Sequence, residues 1–193
     1  FDENGEKSAD FDAVLTVDGA YKAADFINFC DAYDIPVLSL TNVKGYAADV
    51  RSEKSIAKAV AKLTYAFANA NVPKVNVITG EAYGSAYVTM NSKALGADVT
   101  YAWPDASIGM MDANEAAKIM YADDIAKSAD VQSVISEKAA EYAALQSGVE
   151  SAAARGYVDT IINPEDTRKY VAAAFEMLYT KREDRPDKKH GTV

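Results

Sequence analysis

Apolar runs alternate along the chain with longer segments in which apolar residues recur every three or four positions. The first periodic segment, residues 20–33, predicts an amphipathic helix. The run at 35–40 predicts a strand, with Pro36 at its start, where a missing N–H is tolerated. A loop is expected over 41–46. The Ala-rich residues 53–70 predict a second helix.

The same alternation continues to the C-terminal part of the chain. A strand at 75–79, a turn at 80–84 and a helix beginning at Ser85 are predicted. Further strands are expected at 97–103 and 107–110, and further helices at 114–121, 130–147, 149–154 and from Pro164 to about Lys181, with Asn163 as N-cap. The strands lack clean two-residue alternation of polarity. An α/β fold follows, in which helices flank a mostly parallel sheet.

Composition is compatible with one soluble globular domain. The 193 residues, 49% hydrophobic and 25% charged, suit a single domain over 1–193, with a polar lead-in at 1–12 and a basic tail at 182–193. No apolar run approaches a membrane span, and no secretory signal opens the chain. Because the first residue is Phe1, we expect the chain to be part of a longer polypeptide.

Charge and rare residues narrow the possible chemistry. The net charge of -9 disfavours nucleic acid as a partner, because binding phosphates needs a basic face. Cys30 is the one cysteine, which is expected to pack in the core of a protein from a reducing compartment. His190 is the one histidine and lies in the polar tail. Neither a Ser-His-Asp triad nor a His-based metal site is expected.

The segment 75–90 is the most informative candidate for a site. A buried strand passes through a glycine turn into a helix, whose first N–H groups, near Ser85 and Ala86, have no partner inside that helix. The small residue Gly84 would let a ligand approach these amides. This pattern is typical of half an oxyanion hole. Tight packing at a strand-to-helix turn is the alternative.

Neighbouring segments supply candidates for the rest of a pocket. The loop around Gly45 and Tyr46 follows the preceding strand, and adjacent parallel strands end at one crevice. An ordinary strand-exit turn is the alternative. Tyr83 and Met111 are candidate pocket residues, with core packing as the alternative. Asp112 is interpreted as a helix cap in preference to an acid/base group.

Several stretches, in order from about residue 20 to the end, resemble the C-terminal domain of biotin-dependent acyl-CoA carboxyltransferase subunits. This family includes propionyl-CoA carboxylase, methylmalonyl-CoA carboxyltransferase and the sodium-pumping methylmalonyl-CoA decarboxylase. The matching residues are 22–31, 34–37, 61–68, 72–75, 82–87, 95–98, 102–104, 154–159, 180–183 and 188–191.

The resemblance implies a crotonase-like (ClpP/crotonase) fold and a reaction without a side-chain base. It implies biotin, carried on a biotin carboxyl carrier protein, and a coenzyme A thioester as substrate. One oxyanion hole would lie in the N-terminal carboxyltransferase domain. Ser85 and Ala86 would supply the second, for the biotin ureido oxygen, with Gly84, Gly45, Tyr46, Tyr83, Val88 and Met111 around the cofactor.

The resemblance also implies a cytoplasmic homo-oligomer, a trimer or hexamer, that meets a membrane only indirectly, through a decarboxylase pump subunit. The chain departs from the family pattern at Ser85, where the family usually has glycine. It departs again around Asn42 and Lys44 and at Asp112. Two rival functions are a free-standing crotonase-type enoyl-CoA hydratase or isomerase, and a non-catalytic assembly fragment.

Overall fold

The computed structural model describes residues 12–128 and 130–184. The strands are β1 (Val14–Leu15), β2 (Val37–Val43), β3 (Gly45–Tyr46), β4 (Lys74–Tyr83), β5 (Val99–Ala102), β6 (Ser107–Gly109) and β7 (Thr160–Ile161). The helices are α1 (Val17–Ala32), α2 (Val50–Asn69), α3 (Gly84–Thr89), α4 (Ala113–Met120), α5 (Ala122–Lys127), α6 (Val131–Tyr142), α7 (Val149–Ala154) and α8 (Thr167–Met177). Short 3-10 turns occupy Lys93–Leu95 and Pro164–Asp166, and a π-helical segment occupies Ala143–Ser147.

The main sheet is parallel, as the sequence predicts. Its strands lie in the order β2-β4-β5-β7, and β6 pairs with the far end of β4. A separate two-stranded parallel sheet joins β1 to β3. A buried hydrogen bond of 2.8 Å from the Thr41 hydroxyl to Asn76 Oδ1 ties β2 to β4. The arrangement brings the carboxyl ends of β2, β4 and β6 towards one edge.

Two apolar clusters cover the two faces of this sheet. The larger one joins buried residues of α1, α2 and α3 to one face of the strands. The smaller one places Val171 and Ala174 of α8 against Val75 and Val77 of β4 on the other face. The predicted covering of both faces by helices is therefore confirmed.

Three predicted element boundaries are wrong. β2 runs to Val43 and β4 to Tyr83, so most of the expected loop at 41–46 and nearly all of the expected turn at 80–84 are strand. β4 is long because β6 pairs with its last residues. Gly45 and Tyr46, expected in a loop, form β3 and pair with Val14 and Leu15.

Polar residues occupy the N-cap positions of two helical segments, as the sequence predicts. Asp112 caps α4 by accepting a hydrogen bond from the Asn114 amide at 2.9 Å, which confirms the cap. Asn163 stands in the N-cap position of the Pro164–Asp166 turn without a side-chain bond to it. Helix α5 is an element that the sequence did not predict, and the predicted helix at 130–147 divides into α6 and the π-helical segment.

Cys30 is buried, so the predicted core thiol is confirmed, and burial raises its pKa. His190 and most of the lead-in and the basic tail lie outside the described residues. No helix in the described ranges is both long and apolar enough to cross a membrane.

Candidate functional site

The chain turns sharply where β4 enters α3. Gly84 has φ of +59°, in the left-handed region that favours glycine. A Cβ at this position would lie 2.9 Å from the Met110 carbonyl oxygen. Both the backbone conformation and the available space therefore require glycine at this bend.

The bend leaves main-chain donors at the start of α3. Ser85 and Ala86 lie in its first turn, where N–H groups have no acceptor inside the helix. No side chain caps this turn. Within the described ranges, 12–128 and 130–184, neither amide donates a hydrogen bond to a main-chain carbonyl of a loop or turn. Ser85 is exposed, whereas the Ala86 side chain is buried. These amides can serve as donors to a bound oxygen.

A cavity of about 470 Å³ opens beside this turn, within the range of about 300–1,000 Å³ typical of small-molecule sites. Its walls come from α3, from β6 and the residue after it, and from the segment that runs from the last residue of α6 to Tyr157. The lining residues are Gly84, Ser85, Tyr87, Val88, Ile108, Gly109, Met110, Tyr142, Gln146, Ala152, Arg155 and Tyr157.

The residue types that line the cavity are unusual for a site of acid/base catalysis. None of the described residues that line the cavity is Asp, Glu, His or Cys. The described ranges also contain no cluster of three or more such side chains able to hold a metal ion. Main-chain donors and neutral side chains are therefore what this site offers to a reacting group, apart from the guanidinium of Arg155.

Strand β6 holds the wall opposite α3 in place. It pairs with Glu81–Tyr83 at the end of β4, and the Tyr83 hydroxyl donates to Ser107 Oγ at 2.9 Å. Ser107 also forms an antiparallel bridge to Gly148, immediately after the π-helical segment. β6 thus joins the turn at α3 to the segment that carries Tyr142 and Gln146.

Tyr87 forms part of the wall and is buried, which raises the pKa of its hydroxyl to about 12. A folded pKa above the usual value of 10 gives stability that is present below pH 10 and lost as pH rises through 12. We expect Tyr87→Phe to remove this part of the alkaline loss. Urea unfolding at pH 8 and pH 11 tests this, because the wild-type protein should lose more stability between these values than the variant. An equal loss in both would contradict the prediction.

The structure separates the predicted site residues into two groups. Gly84, Ser85 and Val88 line the cavity, and the Ala86 amide lies in the same turn. The second group does not line it.

In that second group, Gly45 and Tyr46 form β3, which contacts α3, and Tyr46 packs against the larger apolar cluster. The Tyr83 ring is buried at the β6 junction. Met110 takes the lining position in place of Met111. β3 therefore lies beside the Ser85 turn, but neither Gly45 nor Tyr46 lines the cavity.

Several lining residues were missed by reasoning from the sequence. Arg155 and Tyr157 lie in a segment that carries the family resemblance, which could have indicated them. Tyr142 and Gln146 come from the end of α6 and the π-helical segment, and no local pattern marks them. π-Helical turns are frequent at functional sites, but they are not visible in the spacing of residues.

A larger cavity of about 610 Å³ lies at the opposite, amino end of the strands, beside Pro36 and Pro73. Lys181 on its wall is already paired with Asp98 at 2.9 Å and with Glu183 at 3.3 Å. The α3 turn does not line this cavity. The smaller cavity is therefore the candidate functional site.

Comparisons with known proteins give matches along nearly the whole chain. Residues 7–193 match the family described as carboxyl transferase domain. The chain is 50% identical over 180 residues to the putative propionyl-CoA carboxylase beta chain of Bacillus subtilis (strain 168), covering 93% of this chain and 36% of that protein. It is 43% identical over 180 residues to methylmalonyl-CoA decarboxylase subunit alpha of Propionigenium modestum, covering 93% and 35%.

A solved structure gives the same result for the fold. The crystal structure of transcarboxylase 12S, a hexamer assembly with methylmalonyl-coenzyme A and methylmalonic acid bound, superposes with a TM-score of 0.87 and 42% identity, covering 92% of this chain and 34% of that one. The crotonase-like fold is thereby confirmed. The chain spans about a third of the length of these relatives. It belongs to the carboxyl transferase domain family.

Proposed function

We propose that this chain is the biotin-facing part of an enzyme that transfers a carboxyl group between biotin and a short-chain acyl-CoA thioester. The observation that supports this most directly is the pair of uncapped amides, Ser85 and Ala86, in a helix turn that borders a cavity without carboxylates. Such amides stabilise negative charge that develops on an oxygen during a reaction. They perform this role without a titratable side chain.

The residues present fit a biotin head group. The small residues Gly84 and Ser85 line the cavity beside the amides, and the apolar side chains of Val88, Ile108 and Met110 suit a fused ring system. When bound, biotin supplies the ureido group that carries the carboxyl group and exchanges the proton. The chain itself would hold the ureido oxygen, orient the ring and exclude water.

The acyl-CoA class is inferred from relatives. Those named above are a putative propionyl-CoA carboxylase, a methylmalonyl-CoA decarboxylase and a transcarboxylase solved with methylmalonyl-coenzyme A. All three names specify a three-carbon acyl group or its carboxylated form. We therefore assign a propionyl-CoA or methylmalonyl-CoA substrate to the parent protein, the longer polypeptide of which this chain would form a part. The direction of transfer is left open.

The proposal requires partners, because the chain spans about a third of its relatives. An N-terminal carboxyltransferase domain would hold the thioester oxygen, and a biotin carboxyl carrier protein would deliver the cofactor. A homo-oligomer, trimer or hexamer, in the cytoplasm completes the proposal, and the related transcarboxylase 12S is a hexamer. Contact with a membrane would occur only through a decarboxylase pump subunit.

The rival hydratase function is disfavoured by the cavity wall. Hydration or isomerisation of an enoyl-CoA uses one or two positioned carboxylates, and none lines the described cavity. Carboxyl transfer, with the proton exchanged by the cofactor, does not need them.

The two functions differ in a direct assay of the parent protein. We expect transfer of a radiolabelled carboxyl group from methylmalonyl-CoA to free biotin, and no hydration of crotonyl-CoA. The isolated 193-residue chain, assayed beside it, is expected to be inactive, because the thioester half of the site would be missing. Hydration without any transfer to biotin would contradict the proposal, and transfer by the isolated chain would contradict the divided site.

A further inference from the structure

Arg155 carries the one charged side chain among the described residues that line the cavity beside the α3 turn. A guanidinium stays protonated in proteins, so it brings a full positive charge to this wall. No carboxylate among the described lining residues balances that charge. The lining of the cavity is therefore positive, although the chain as a whole has a net charge of -9.

The end of α7 fixes the backbone that carries this side chain. Arg155 stands at the C-cap, and Gly156 follows it with φ of +81°. The Gly156 amide donates to the Ala153 carbonyl oxygen at 2.9 Å. The Tyr157 amide donates to the Ala152 carbonyl oxygen at 3.0 Å. These two bonds form a Schellman motif, so the guanidinium extends from a fixed backbone between two residues that also line the cavity.

The guanidinium itself has no partner within the part of the chain that the structure describes. Over 12–128 and 130–184, Arg155 forms no ion pair and no side-chain hydrogen bond. Asp159, a carboxylate close to it in sequence, pairs instead with Lys93 and accepts a hydrogen bond from the Thr100 amide at 2.9 Å. The donors of Arg155 are therefore available to a bound anion.

The two sets of donors around the cavity suit different groups. The Ser85 and Ala86 amides border it and can hold a single oxygen that gains negative charge. The guanidinium of Arg155 presents N–H groups in a planar fork, which matches the two oxygens of a carboxylate. A ligand with a carbonyl oxygen and a neighbouring carboxylate would use both sets.

We infer that Arg155 binds the carboxylate that this protein transfers. The inference rests on the proposed function and adds to it the residue that recognises the transferred group. Free biotin offers no negative charge at its ureido group, so it gains nothing from Arg155 there. The guanidinium therefore favours the form of the ligand in which the ureido group bears a carboxylate.

A binding measurement without turnover tests this on the parent protein. The probe is biotinamide with a carboxymethyl group on the ureido nitrogen, and its neutral counterpart carries a carboxamidomethyl group there. By calorimetry, the wild-type protein is expected to bind the anionic probe at least about tenfold more tightly than the neutral one, since hydrogen bonds between charged groups are strong. Arg155→Gln is expected to bind both equally, and Arg155→Lys to show an intermediate preference, because a lysine lacks the planar fork.

Arg168→Gln is the matched control. Arg168 is an exposed arginine of α8 that does not line the cavity, so this variant is expected to keep the wild-type preference. A preference for the anionic probe that survives in folded Arg155→Gln would overturn the inference. So would an equal loss of affinity for methylmalonyl-CoA and propionyl-CoA in this variant, because Arg155 would then bind the phosphates that both thioesters share.

Kinetics give a second readout and separate the inference from the proposed function. In transfer from methylmalonyl-CoA to free biotin, Arg155→Gln is expected to lower kcat at least about tenfold and to leave the KM for biotin unchanged. A normal kcat in this variant would overturn the inference while the proposed function stands. A wild-type protein that prefers the anionic probe through Arg155 but transfers nothing to biotin would overturn the reaction and not the carboxylate site.

Discussion

Replacement of Ala86 by proline is expected to reduce carboxyl transfer to biotin by the parent protein by about 10²–10³-fold, the cost of losing one donor from an oxyanion hole. Proline removes the Ala86 N–H, one of the two uncapped amides in the turn that borders the cavity. Because Ala86 lies in the first turn of α3, no hydrogen bond within the helix is lost. The measurement is the rate of transfer to free biotin, with circular dichroism to show that the fold is intact.

The Ala86 side chain is buried, so the bulk of the proline ring needs its own control. Ala86→Val adds comparable volume and keeps the N–H. It is expected to retain most of the activity that Ala86→Pro loses. A normal rate in a folded Ala86→Pro protein would exclude the amide from the reaction, and an equal loss in the valine variant would assign the effect to packing.

Replacement of Gly84 by alanine is expected to lower the free energy of unfolding by about 2–3 kcal/mol, combining a left-handed backbone with a steric contact. Its φ of +59° disfavours any side chain, and the added Cβ would lie 2.9 Å from the Met110 carbonyl oxygen. To relieve this contact, the α3 turn and the residue after β6 must separate, which also distorts the cavity. Urea unfolding measures the change.

Gly156 offers a matched control for the contribution of the left-handed backbone to this loss of stability. Its φ is +81°, but no atom lies within 4 Å of a Cβ built there. Gly156→Ala is therefore expected to cost only the conformational part, about 1–2 kcal/mol. A loss for Gly84→Ala no larger than that for Gly156→Ala would show that the turn and Met110 are not in tight contact.

The order of helices and strands was largely predictable, because local periodicity and the Gly and Pro residues between elements determine it. The ends of β2 and β4 were not. β4 continues through Gly80 to Tyr83 because β6, some distance along the chain, supplies partners for its last residues. β3 exists because β1 lies beside it. Pairing between distant segments leaves no local pattern, so sequence reasoning placed a turn and a loop there.

Some residues of the candidate site could likewise be predicted from the sequence, and others could not. Gly84 and Ser85 were found because a strand, a glycine and a helix start are visible in consecutive residues, whereas Val88 was found only through the family resemblance. Tyr142 and Gln146 reach the cavity through the π-helical segment and the bridge between Ser107 and Gly148, which are tertiary features. The neighbouring residue Met110, and not Met111, lines the cavity, because side-chain direction after β6 depends on its pairing with β4.

The bridge from β6 to Gly148 also affects when the pocket can form. Its walls come from residues as far apart in sequence as Ser85 and Tyr157, and closing such a long loop costs entropy before any contact is gained. During synthesis the ribosome must therefore release the chain beyond Tyr157 before the Ser85 turn acquires an opposite wall. A nascent chain that ends before α7 would leave these amides facing open water.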